Sequence, residues 1–160
     1  LVAALPLVPG CNLVIAGNDE EHRTPKLEAQ AVKAGVRERI SFVGPVYGED
    51  KAALLSRALL LVLPSYSENF GNVVLEAMAA GCPVAVTPEV GAADIVQEST
   101  AGVVLEGEPL ALGEGIRRLI SDRAALERMG ERGREFVRHR YTWEAVSLQM
   151  EEAYRHVIAG

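Results

Sequence analysis

Five short aliphatic runs recur along the chain with stretches of helical length between them: residues 12–17 (NLVIAG), 40–44 (ISFVG), 59–65 (LLLVLPS), 83–88 (PVAVTP) and 102–106 (GVVLE). Each is continuously apolar rather than alternating, and a strand apolar on both faces belongs in a parallel sheet covered by helices on both sides. The intervening segments 26–34, 50–57, 71–80 and 92–98 have the length and composition of helices, so the order is β-α-β-α throughout. Right-handed crossovers then predict an α/β fold, a Rossmann-like doubly wound parallel sheet. Three C-terminal helices follow at 110–120, 123–138 and 143–158, the last capped by the Thr142 hydroxyl.

In such sheets ligands bind beyond the carboxyl ends of the strands, which here are the loops at Gly17, Gly44, 65–70 and 87–91. The bulk properties narrow the ligand. With 160 residues, 49% of them hydrophobic, the chain is one domain with ample material for a core, and its net charge of −6 opposes a nucleic-acid partner. The arginines between Arg117 and Arg140 are mixed with acidic residues and read as a solvated helical face. Cys11 and Cys82 share no metal-ligand spacing, and His22, His139 and His156 are scattered, so no metal and no cofactor is expected. Free cysteines point to a reducing cytoplasm. The longest apolar run, 58–63, is far short of the ~20 residues a bilayer requires, and a soluble chain is expected. Residues 1–8 read as the tail of a helix feeding the first strand, so a piece cut inside a β-α-β unit is expected.

The most informative stretch is PSYSENFGNVVLEAMAAGCPV, residues 64–84. A strand ends at Pro64 and Ser65, a helix starts near Phe70 or Gly71, and Gly81 with Pro83 closes it. Within that helix only Asn72 and Glu76 are polar, one turn apart on one face, so Glu76 is expected to be a buried carboxylate in need of hydrogen-bond donors. The plain alternative is a glutamate on a solvated edge or paired with an arginine. Glu68, Asn69 and Gly71 at the same strand end favour a site. Gly71 lets backbone approach a ligand, the free amides at the helix start suit a phosphate, and a carboxylate one or two turns along suits the vicinal hydroxyls of a ribose.

These residues closely resemble the signature of family 4 retaining glycosyltransferases, also called group 1. Glu68 and Glu76 match its E-x(7)-E pair, Phe70-Gly71 its FG, and Glu76-Ala77 with Gly81 and Pro83-Val84 its EA…G.PV. LVIAGN, FVG and YTWEAV extend the likeness over essentially the whole chain. The resemblance implies the C-terminal, donor-binding half of a GT-B fold. It further implies that Glu68 acts catalytically on the hydroxyls of the transferred sugar, with Ser65 beside it. Backbone from Asn69 through Phe70, Gly71, Asn72 and Val73 would face sugar and diphosphate, and Glu76 would hold the ribose. Gly17 and the loop from Gly44 to Val46 would complete the pocket near the base. The implied reaction is metal-independent transfer, with retention, from a UDP- or GDP-sugar to an acceptor hydroxyl. The implied partners are the sugar-nucleotide donor and an N-terminal acceptor half absent here, as are the first strand and the basic pair after it. The resemblance leaves room for peripheral membrane association through that half, and implies that this chain alone is inactive.

Two other readings stay open: a non-catalytic sugar-nucleotide-binding module, and an epimerase on the same architecture. A dinucleotide-dependent oxidoreductase is disfavoured, because GEGIRR at Gly113 lies in a predicted helix and lacks the third glycine of the phosphate-binding turn.

Overall fold

A computed structural model describes residues 1–159. A 3-10 segment, Val2–Leu7, leads into β1 (Leu13–Ala16), α1 (Thr24–Lys33), β2 (Ile40–Gly44) and α2 (Gly48–Arg57). Then follow β3 (Leu61–Leu63), α3 (Asn72–Ala80), β4 (Val84–Val86), α4 (Ala93–Ser99) and β5 (Gly102–Val104). Three helices, α5 (Pro109–Ile120), α6 (Arg123–Arg140) and α7 (Trp143–Ala159), complete the fold. The α/β alternation is as expected, with strands trimmed and helix ends shifted by one or two residues. Thr142 caps α7, its hydroxyl accepting from the Ala145 amide at 3.2 Å.

The strands are all parallel, as expected, and pair in two separate sheets. β1 pairs in parallel with β2, and β4 pairs in parallel with β3 on one side and β5 on the other. The order is therefore β2-β1 and, separately, β3-β4-β5, so β1 and β3 each keep an edge with no ladder partner among the described residues.

Two apolar cores hold the pieces together. Leu61 and Leu63 of β3 join a core built on α3, β4 and α4, centred on Val74, Met78, Val84, Val86 and Val96, with Phe136 and Val137 of α6 against it. Leu60 and Val62, facing the other way, join Val2, Leu5, Leu112 and Ile116, and the same core takes Leu13, Ile15 and Phe42 from β1 and β2. Both sheets thus rest on the Val2–Leu7 segment and α5. The opposite face of the two-stranded piece is open: Val14 and Val43 are 45% and 48% exposed, against 0% and 1% for Val84 and Val86. The expectation that all five strands are buried on both faces holds for β4 and fails for β1 and β2.

Candidate functional site

After Leu63 the chain crosses the carboxyl end of the three-stranded sheet as far as Gly71, where α3 begins. The loop after β4 holds this crossing in place. The buried Thr87 hydroxyl donates to the Ser65 carbonyl. The Glu68 amide donates to the Glu89 carbonyl at 3.3 Å, and the Gly91 and Ala92 amides donate to the Glu68 and Phe70 carbonyls, each at 2.9 Å. Glu68 and Val90 form an isolated parallel bridge. Main-chain hydrogen bonds, with the Thr87 hydroxyl as a side-chain tie, therefore shape the crossing.

Two glycines make the close approach feasible. Gly71 has φ +83°, and a Cβ there would sit 3.1 Å from Leu63 Cδ2 and 3.2 Å from Val90 Cγ1. Gly91 is tighter, since its Cβ would fall 2.0 Å from the Asn69 carbonyl oxygen. The sequence pointed to the loop 87–91 as ligand-side but not to Gly91, whose role depends on a contact between two loops.

Gly71, as the N-cap of α3, supplies no side chain, and no other side chain caps the helix among the described residues. The first amides of α3, on Asn72 and Val73, are thereby left to solvent or ligand, at the positive end of the helix dipole. Around them Asn69, Phe70 and Asn72 are exposed, Ser65, Glu68 and Val73 are half-buried, and Gly71 is buried.

Glu76 corrects an expectation. It is not buried: its side chain is 45% exposed, and it is paired with Lys51 of α2. The exposed positions of α3 are Asn72, Glu76 and Ala79, spaced four and three apart as one solvent stripe, while Val74, Ala77 and Met78 face the core. Ala79 disguises that stripe in the sequence. Glu76 thus has its polar partner from the protein itself, and the case for a ligand passes from its burial to its placement one turn beyond the free amides.

Gly17, Gly44 and Val46 lie at the carboxyl ends of the other sheet. The Gly17 amide donates to the Gly44 carbonyl at 2.9 Å, with φ +150° and +69° at the two glycines. From Gly44 the chain passes half-buried Val46 into α2, and the Lys51–Glu76 pair ties α2 to α3. The predicted residues therefore fall into two groups, linked where α2 packs against α3 and Lys51 meets Glu76. Two open cavities of about 320 and 330 Å³ lie elsewhere, beside Thr100 and Arg132 and beside Arg57 and Gly81. Among the described residues no cluster of histidine, cysteine or carboxylate side chains is arranged to hold a metal.

A helix start without a cap, two carboxylates eight residues apart and a glycine-braced loop form a surface suited to a diphosphate flanked by hydroxyls. Residues 1–136 match the family described as glycosyl transferases group 1. The chain belongs to that family. A glycosyltransferase of Methanocaldococcus jannaschii, itself uncharacterized, is 31% identical over 159 residues, spanning 97% of this chain and 40% of that protein. Sucrose-phosphate synthase from Thermosynechococcus elongatus is 33% identical, with a TM-score of 0.85 over 99% of this chain and 41% of its own. HepE of Anabaena, solved in complex with UDP and glucose, superposes with a TM-score of 0.85 at 24% identity, over 97% of this chain and 43% of its own, and so shares the fold. The chain spans between 29% and 40% of the length of the curated relatives it matches. The architecture of these neighbours is GT-B.

Proposed function

We propose that this chain is the donor-binding, C-terminal half of a retaining family 4 glycosyltransferase, which moves a sugar from UDP or GDP to an acceptor hydroxyl. The observation that carries the reading is the uncapped start of α3 at Gly71, with Glu68 before it and Glu76 beyond it, inside the region that matches the family. In the reaction, the bond from the anomeric carbon to the diphosphate breaks and the acceptor oxygen bonds to that carbon. The acceptor proton leaves with the diphosphate. The chain's part is electrostatic: amides of Asn72 and Val73 stabilise the charge that builds on the leaving group. Glu68 accepts from hydroxyls of the transferred sugar and Glu76 from those of the ribose. The loop from Gly44 to Val46 borders the base, and Gly17 and Ser65 close its sides. No metal or cofactor enters this scheme, and the compartment proposed is the cytoplasm. No helix of the described residues is long and apolar enough to cross a membrane.

Two surface features support a larger protein around this half. The edges of β1 and β3 have no ladder partner among the described residues, which fits one more strand between them in the order β2-β1-x-β3-β4-β5. On α7, Trp143, Val157 and Ile158 are more than three-quarters exposed, at 86%, 80% and 85%. We infer that an acceptor-binding half supplies the missing cover and that the chain alone is inactive. The test is transfer from UDP- and GDP-sugars by the full-length protein, with product analysis to establish anomeric configuration. Transfer with retention is expected, with turnover falling at least ~100-fold in Glu68→Gln. Tight sugar-nucleotide binding with no transfer to any hydroxyl, or epimerised sugar as product, would overturn it.

A further inference from the structure

Glu76 has a partner that lies outside the motif. Lys51 stands in the first turn of α2, and its Nζ meets Glu76 Oε2. Glu76 Oε1 is the second oxygen of a side chain that is 45% exposed. α2 and α3 pack side by side, and α2 is the helix into which the loop from Gly44 to Val46 runs. We propose that Lys51 is a positioning residue for the donor, holding the Glu76 carboxylate by one oxygen so that the other is offered to a vicinal diol.

Three physical points support this role, which rests on the reading of Glu76 as the group that receives the ribose. The pair is partly exposed, 33% and 45% at its two side chains, and ion pairs within reach of solvent contribute little to fold stability. Its value lies elsewhere. A free glutamate samples many rotamers, and fixing it only on binding subtracts from affinity, whereas a glutamate already fixed in the free protein has lost that freedom beforehand. The geometry of a ligand-holding group depends on its supporting neighbour, and here the neighbour sits on a different helix, 25 residues earlier in the chain.

The test is calorimetry on the full-length protein, using whichever of UDP and GDP the wild type binds together with its 2′,3′-dideoxy analogue. Lys51→Met is expected to weaken the ribonucleotide about tenfold and the dideoxy analogue less than twofold. Lys51→Arg should recover most of the loss. Adding Lys51→Met to Glu76→Gln should produce almost no further loss, because both act on one interaction. Melting temperatures of the variants, expected to stay close to the wild type, separate a positioning role from a packing one. Equal weakening of both nucleotides by Lys51→Met, or no weakening while Glu76→Gln still discriminates against the ribose, would overturn the inference and leave the donor reading standing. A wild type that binds neither nucleotide would overturn both.

Discussion

The two pieces of the sheet carry the same kind of sequence and meet different fates. VAV in β4 and LVIA in β1 are equally apolar, yet all three β4 residues are buried while β1 alternates between half-buried and exposed. Strand β4 has a neighbour on each edge and helices over both faces. β1 has one neighbour and cover on one face only. An apolar run therefore states what a strand is built to be surrounded by, and not whether the surroundings are present. The candidate site straddles this divide. Its Glu68–Gly71 crossing is braced on the three-stranded piece by the bridge to Val90, whereas Gly17, Gly44 and Val46 hang on the two-stranded one.

The largest effect should come from the core of the three-stranded piece. Met78, fully buried at 0%, replaced by alanine is expected to lower stability by about 3 kcal/mol in urea unfolding, a loss beyond anything available on the open face of β1. A loss below about 1 kcal/mol would mean that the two pieces are equally loose. Gly91→Ala follows, because its Cβ cannot coexist with the Asn69 carbonyl. We expect about 2 kcal/mol in the same assay and a weaker sugar nucleotide by calorimetry, as the crossing is forced off its brace.

The same half should show a specific pH dependence. Burial pushes the Cys82 thiol up to about 11 from its ordinary 9.0. The folded chain then keeps a proton that the unfolded chain releases, so the contribution is complete below pH 9 and is lost as pH rises toward 11. Its size is on the order of 2 kcal/mol, and Cys82→Ala should flatten that part of the stability profile relative to the wild type. Smallest of all are Val14→Thr and Val43→Thr on the open face, expected within about 0.5 kcal/mol of the wild type. Amide exchange sharpens the contrast without mutation: β4 amides should exchange far more slowly than those of β1.

Much of this was legible in the sequence. The five apolar runs located all five strands, Gly71 and Gly81 marked the ends of α3, and the loop after β3 was expected at the carboxyl end of its strand, where it lies. What escaped reading was non-local. Seven apolar residues of nine in α3 suggested burial all round, but Ala79 is apolar only in name and sits on the solvent stripe with Asn72 and Glu76. Lys51 lies on another helix, so no spacing rule within α3 points to it. Gly91 reveals its purpose only when the Asn69 carbonyl is placed against it. Which strands pair is likewise non-local: the absence of a central strand is expected from the sequence, but periodicity within a run does not encode its neighbour, so the separation into two sheets stays open there.

The decisive observation is a crystal structure of the full-length protein with an intact sugar nucleotide. The diphosphate should lie within hydrogen-bond distance of the Asn72 and Val73 amides, with the ribose hydroxyls on Glu76 and the sugar beside Glu68. A nucleotide seated instead in the cavity beside Arg132 and Arg140, with the start of α3 left bare, would contradict the assignment.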